Sequence, residues 1–181
     1  MPLARRFLFA LAGLIQAALW WRAAAWYPRL PDRIPIHFDM SGTPDGWAAK
    51  SAATWFLLPG LATLLTLALM GAGLVMIPAL ARHKPQLINI PSKERFLALD
   101  ADARAAAIAP LGTFMLFEAT LLCGLFLWIV EMSGRVATGA ATTAQPWPVA
   151  IVLVGSSVGV PIMLVAMMRA IERAAASRAG P

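Results

Sequence analysis

Four long apolar runs constrain the fold of this chain more than any other feature. They are residues 7–26, 55–80, 108–130 and 149–168. Each is close to or above the ~20 residues that an α-helix needs to cross the hydrocarbon core of a bilayer. A soluble domain of 181 residues does not need 60% hydrophobic and only 13% charged residues to fill one core. The sequence therefore predicts an all-α membrane protein, with four transmembrane helices in a single domain over residues 1–181.

The distribution of lysine and arginine predicts the orientation of these spans. Cytoplasmic segments next to membrane spans retain basic residues. Ten of the 15 lie before the first span, in the connector 82–106 or after the fourth span, and five lie on the other side. Both ends of the chain are therefore expected in the cytoplasm. Because the basic residues are dispersed and form no patch interleaved with aromatic residues, nucleic acid is not an expected partner.

The first span has a second interpretation, as a cleavable signal peptide. Arg5 and Arg6 would form its charged region and residues 23–25, three alanines, its cleavage site. Arg22 and two bulky tryptophans lie close to that site, and three more spans follow. We therefore expect an uncleaved anchor.

The loop between the first two spans, residues 27–54, carries the most conformational restraints. Its prolines keep the backbone extended and prevent a helix; they are Pro28, Pro31 and Pro35. Ser41 and Gly42 predict one turn, and residues 43–46 predict a second, with Pro44 and Gly46 at positions typical of a type I turn. We expect an ordered extracytoplasmic loop, followed by a second helix that Ser51 caps. The outer segment 133–145, rich in Gly, Ala and Thr, predicts a flexible connector.

The same loop carries a motif. Residues 30–38 read Leu-Pro-Asp-Arg-Ile-Pro-Ile-His-Phe, and Ser41-Gly42, Pro44-Asp45-Gly46-Trp47 and Lys50 follow. This motif resembles the domain of unknown function that opens the SdpI-type bacterial membrane proteins, and residues 89–99 resemble the segment that follows it in four-span relatives. The resemblance covers roughly the first 130 residues. It implies a multi-pass protein of the bacterial inner (plasma) membrane. In the best understood SdpI case the protein protects its producer from a secreted peptide toxin and signals through a cytoplasmic regulator, a repressor.

Five side chains of the outer loop are candidates for ligand binding: His37, Asp39, Asp45, Trp47 and Lys50. The expected ligand is an extracytoplasmic peptide or a lipid head group. Imidazole and carboxylate groups also bind zinc, so a metal-dependent membrane enzyme stays open as an alternative. We predict no metal ligand set, catalytic residue or cofactor, since no nucleophile with a positioned base is evident. His37 and Asp45 are alternatively parts of the loop architecture.

Polar residues near the middle of each span predict a polar layer: Gln16, Thr66, Glu118 and Ser156 or its neighbour Ser157. An ionisable group at this depth is costly and usually faces the bundle interior. We expect a protonated Glu118 in an interhelical hydrogen-bond clamp. A small proton- or ion-coupled transporter that uses Glu118 is the alternative. Cys123, the single cysteine, is expected to be a small packed apolar residue.

The cytoplasmic connector predicts two short helices. Ser92 is the expected cap of the first, residues 93–99, and Asp100 of the second. The first helix is expected to present Phe96, Leu97 and Leu99 to the membrane surface, beside basic residues. Docking of a cytoplasmic regulator at this segment is the alternative.

Overall fold

The computed structural model describes residues 2–179, and side chains as far as residue 177. In this range four helical segments are long and apolar enough to cross a membrane: Leu3–Arg29, Ala52–His83, Ala101–Ala137 and Trp147–Ser177. All four predicted spans are therefore confirmed as candidate membrane helices. Each segment continues beyond its apolar run, because helix formation does not stop where the side chains become polar. Arg178, one of the basic residues that follow the fourth span, lies outside the described side chains.

The described elements are seven α-helices, one β-hairpin, one π-helical turn and two short 3-10 helices, Tyr27–Arg29 and Pro85–Leu87. The helices are α1 (Leu3–Trp26), α2 (Ala52–Gly71), α3 (Ile77–His83), α4 (Lys93–Ala98), α5 (Ala101–Ala107), α6 (Ala109–Ala137) and α7 (Trp147–Ala179). The strands are β1 (Arg33–Phe38) and β2 (Pro44–Ala49), which pair antiparallel. Helix α6 packs against α1, α2 and α7 and is the centre of the bundle. We call the end that carries β1 and β2 the hairpin end, and the end that carries α4 the connector end.

The second span contains a π-helical turn, Ala72–Met76, between α2 and α3. Pro78 follows it, in the first turn of α3. Proline has no N–H to donate, and its ring clashes with the carbonyl four residues earlier. The N–H of Ile77 instead donates to Ala72, five residues back, which is the bond of a π-turn. The helix thus widens by one residue just before the proline and continues.

Two glycines bring this π-turn against α6. A Cβ atom on Gly112 would lie 2.5 Å from the carbonyl oxygen of Gly73. Small residues allow such close backbone approach between membrane helices. Arg5 joins α1 to this part of α6 by two hydrogen bonds. Its Nε donates to Thr113 Oγ1 at 3.0 Å, and its Nη2 donates to the carbonyl of Ala109 at 2.8 Å.

The hairpin is part of the hydrophobic core at its end of the bundle. Ile34 of β1 is buried in one cluster with Leu19 and Ala23 of α1, Trp55 of α2 and Val130 of α6. The indole N–H of Trp55 donates to the carbonyl of Ala23 at 2.8 Å. Burial of a side chain the size of isoleucine contributes about 1.5–3 kcal/mol. The base of β1 is therefore held by the helices and does not depend on β2 alone.

The connector end corrects part of the sequence prediction. Asp100 caps α5 through the N–H of Ala103 at 2.7 Å, as predicted. Ser92 has a left-handed φ of 58°, and its side chain caps no amide in the described chain, so that prediction was wrong. Phe96 and Leu99 are buried against Met167 and its neighbours on α7, not presented to the membrane surface. Met167, near the end of the fourth apolar run, and Ile171, just beyond it, cover them, whereas Leu97 is 38% exposed.

Candidate binding groove beneath the hairpin

Asp39 builds the tip of the hairpin. Its Oδ1 accepts hydrogen bonds from the backbone N–H of Ser41 at 2.8 Å, the hydroxyl of Ser41 at 2.6 Å and the N–H of Thr43 at 2.9 Å. The hydroxyl of Ser41, followed by the backbone of Thr43, lowers the pKa of this carboxyl from its usual 3.8. Gly42 has a φ of +81°, which favours glycine. The first predicted turn therefore exists, and Asp39 stabilises it.

The second predicted turn is wrong. Pro44, Asp45 and Gly46 lie in β2. The N–H of Asp39 already donates to the carbonyl of Thr43 at 2.9 Å, which closes the chain reversal one residue before Pro44. Gly46 lies opposite His37, where a Cβ atom would come within 2.8 Å of the His37 Cβ. Pro35, which was expected to keep the backbone extended, lies within β1.

The segment between α6 and α7 holds the tip of the hairpin. The N–H of Ala144 donates to the carbonyl of Gly42 at 2.7 Å. A Cβ atom on Gly42 would lie 1.9 Å from the carbonyl oxygen of Ala144, so only glycine permits this contact. Ala144 is buried. The flexible connector predicted for this segment thus contains a docking point for the hairpin.

A groove of about 920 Å³ lies beneath the hairpin. Its walls come from β1, the first turns of α2, the last turns of α6 and the start of α7. Every residue from 34 to 40 lines it. Because successive side chains of a strand point to opposite faces, the groove is bordered by an edge of β1 and not by one of its faces. Within the described chain β1 pairs with β2 alone, which leaves that edge open. The walls are largely apolar and include Ile36, Leu57 and Leu61, all exposed.

Only part of the predicted ligand-binding set borders this groove. His37 and Asp39 line it, whereas Asp45, Trp47 and Lys50 are not among its lining residues. His37 Nδ1 donates to Asp45 Oδ1 at 2.5 Å across the two strands. Lys50 donates to the carbonyl of Leu30 at 2.8 Å and lies over the Tyr27 ring, which secures the base of the hairpin. Among the described residues, no group of three or more His, Cys, Asp or Glu side chains is placed to hold a metal ion.

The predicted polar layer is divided into two networks. Gln16 donates to Thr63 at 2.6 Å and accepts from the Cys123 thiol at 3.2 Å, and Cys123 also contacts the Thr66 hydroxyl at 2.9 Å. Cys123 is therefore a hydrogen-bonding residue as well as a packed one.

The second network joins α6 to α7. The hydroxyl of Ser156 donates to Glu118 Oε2 at 2.8 Å. Glu118 and Cys123 are five residues apart, about 140° around a helix of ~3.6 residues per turn, so the two face different neighbours. One continuous layer was therefore a wrong prediction.

A charged cluster at the hairpin end was missed from the sequence. Arg22 donates from Nε and Nη2 to Glu131 Oε2 at 2.9 and 2.6 Å, and the indole N–H of Trp26 donates to the same oxygen at 2.9 Å. Arg135 lies 3.5 Å from Glu131 Oε1. The available signal was an acidic residue just after the third apolar run and an arginine within the first. Arg22 and Arg135 were interpreted only as signals of membrane orientation, so the ion pair of Arg22 with Glu131 was not predicted.

Comparison with known families agrees with the loop motif. The family model of a domain of unknown function (DUF1648) matches residues 14–63. This chain contains that domain. The match starts in α1, includes the whole hairpin and ends in α2, and it confirms the resemblance predicted from the motif in that range. No curated protein matches the chain, and no solved structure matches it.

The lowered pKa of Asp39 predicts how the hairpin tip responds to acid. A carboxyl whose pKa is lowered by folding contributes stability above its unfolded value, and that stability is lost as the pH falls through the folded value. Amide exchange at Ser41 and Thr43, corrected for the intrinsic effect of pH, should therefore be slow above pH 3.8 and accelerate below it. Asp39→Ala should exchange fast throughout. Equal protection of wild type and Asp39→Ala would contradict this role.

Proposed function

We propose that the protein binds an extracytoplasmic peptide in the groove beneath the hairpin, as a sensing or immunity protein of the SdpI-like type would. The observation that carries the proposal is the groove itself, which combines the open edge of β1 with apolar walls from the helices. An extended peptide adds to an exposed strand edge through backbone hydrogen bonds, and neighbouring pockets select its side chains. A groove of this composition suits an apolar peptide that approaches along the membrane surface. The matched domain, which includes the whole hairpin, supports the same region.

The proposal requires the hairpin end to face outward, with both chain ends in the cytoplasm of a bacterial cell. The ten-to-five distribution of lysine and arginine supports this orientation. A single cysteine introduced at Ser92 should resist an impermeant thiol reagent in intact cells, and one introduced at Ser41 should react. The reverse labelling pattern would place the groove on the cytoplasmic side and refute the proposal.

A growth assay tests the function. Cells that lack the protein should become sensitive to the peptides that they secrete into their own culture medium. The wild-type gene should restore survival. Ile36 and Trp47 make a matched pair, because both are exposed on the hairpin, by 58% and 41%, and only Ile36 lines the groove. Ile36→Lys should fail to restore survival, and Trp47→Lys should succeed. Equal survival of both variants at equal membrane abundance would refute a role for the groove.

One observation favours a proton- or ion-coupled transporter as a second candidate. Glu118 Oε1 is buried, and no donor of the described chain reaches it. A buried carboxylate oxygen without a partner is unusual, and intramembrane carboxyl groups commonly mark ion or proton pathways.

A pair of substitutions separates transport from a structural clamp. Glu118→Gln keeps an oxygen that accepts from Ser156, so a clamp should retain stability and function. Glu118→Leu removes the bond and should cost about 1 kcal/mol in the free energy of unfolding. Survival in the growth assay and thermal unfolding in detergent are the two measurements. Loss of survival in a stably folded Glu118→Gln protein would make the transporter the better candidate.

A further inference from the structure

A second cleft, of about 640 Å³, lies between α1, α6 and α7. Trp128 of α6 lines both this cleft and the groove beneath the hairpin, and thus stands between them. The other lining residues are mainly apolar, among them Ile15 of α1 and Val152 of α7. No residue of the hairpin lines this cleft, and of its lining residues only Ile15 and Arg22 lie within the matched domain.

The length of the cleft matches one leaflet of a membrane. On α6 its lining residues run from Thr120 to Glu131. That separation is about 16 Å at ~1.5 Å per residue of helix. The hydrocarbon core is ~30 Å thick, so the cleft covers about half of it. The length of the cleft therefore suits a single acyl chain that enters from the hairpin end.

The mouth of the cleft at that end carries positive charge. Arg22 and Glu131 line it, and Arg135 lies against the second oxygen of the Glu131 carboxylate. Two guanidinium groups thus face one carboxylate, which leaves one positive charge in excess. The three side chains are 29%, 28% and 53% exposed, so they are accessible to a ligand. Guanidinium groups bind phosphate through paired N–H donors.

Aromatic residues place this mouth at the level of the lipid head groups. Trp128 and Trp147 both line the cleft and meet edge to face, with ring centroids 6.4 Å apart. Tryptophan is enriched where membrane helices meet the head groups. Farther along the cleft, a Cβ atom on Gly124 would meet no atom of the described residues within 4 Å. The space next to Gly124 is therefore open to an acyl chain.

From these observations we propose that the cleft binds one anionic phospholipid of the leaflet at the hairpin end. One acyl chain lies along α6 beside Gly124, and the phosphate lies at Arg22 and Arg135. The excess positive charge selects an anionic over a zwitterionic head group. This site is separate from the groove, so Ile36→Lys should leave lipid binding unchanged.

Native mass spectrometry of the purified full chain tests the proposal, with equal amounts of phosphatidylglycerol and phosphatidylcholine added in detergent. Wild type should retain phosphatidylglycerol about fivefold over phosphatidylcholine, as expected for one cation near an anionic head group. Arg135→Gln keeps the pair of Arg22 with Glu131 and should bring the preference close to unity. Gly124→Leu fills the cleft and should lose both lipids. Gly13→Leu, on the exposed face of α1 and away from the cleft, should bind as wild type does.

Three results would overturn the proposal: equal retention of the two lipids by wild type, an unchanged preference in Arg135→Gln, or undiminished binding in Gly124→Leu. Circular dichroism of each variant verifies that its helices are formed. If Gly124→Leu does not fold, the comparison of wild type with Arg135→Gln still decides the question. Neither comparison depends on the peptide, so failure here leaves the proposed function standing.

Discussion

Replacing Gly42 by valine is expected to abolish peptide protection while the four helices stay inserted. The new side chain meets the carbonyl of Ala144, and valine is strained at a φ of +81°. Backbone strain of this kind costs about 1–3 kcal/mol, and the contact with Ala144 is lost in addition. The tip should therefore leave its docking point and open the groove, with ligand affinity reduced by about tenfold or more. Survival in the growth assay and membrane abundance measure the two effects separately.

Gly139 supplies the matched control. It also has a positive φ, +74°, but a Cβ atom there would meet no described atom within 4 Å. Gly139→Val carries a similar backbone strain without the clash and away from the hairpin. It should protect cells as wild type does. If both variants lose protection equally, strain in the outer segments and not the docking of the hairpin is responsible.

Replacing Gly112 by leucine is expected to produce the largest loss of stability. Its Cβ would lie 2.1 Å from Arg5 Nη2 and 2.5 Å from the carbonyl oxygen of Gly73. The arginine side chain is able to move, but the carbonyl belongs to a helix backbone and is not. Overpacking of a tight contact costs typically about 1–3 kcal/mol, and we expect the upper part of that range. Thermal unfolding in detergent should show the loss as a lower Tm.

Gly124→Ala on the same helix is the comparison, since its Cβ meets no described atom within 4 Å. Alanine also favours helix over glycine by about 1 kcal/mol. This variant should unfold at or slightly above the wild-type Tm. Similar Tm values for Gly112→Leu and wild type would show that the π-turn and α6 are not in close contact there.

Local features of the fold were predictable from the sequence because their causes are local. An apolar run long enough to cross a bilayer predicts a span whatever its neighbours are. Ser51 and Asp100 cap helices through amides three residues away, as the sequence predicts. The turn at Gly42 likewise depends on adjacent residues. The turn predicted from Pro44 and Gly46 was wrong, because strand pairing across the hairpin overrides a weak local preference for a turn.

Contacts between distant segments were not predictable. Arg22 and Glu131 are separated by 109 positions, and the sequence shows neither the rotation of α1 nor that of α6. The polar layer failed for the same reason: depth in the membrane is readable from the sequence, whereas the direction around each helix is not. The groove also depends on the contact of Gly42 with Ala144. The loop motif therefore indicates the hairpin but does not show the groove that we propose as its binding surface.

Site-specific photo-crosslinking in living cells tests the central claim most directly. A photoreactive phenylalanine derivative replaces either Ile36, which lines the groove, or Trp47, which lies on the same hairpin outside it. After irradiation, mass spectrometry identifies what each position has captured. The account predicts a secreted peptide attached at position 36 and none at position 47. Peptide adducts of equal yield at both positions, or only lipid adducts at position 36, would contradict it.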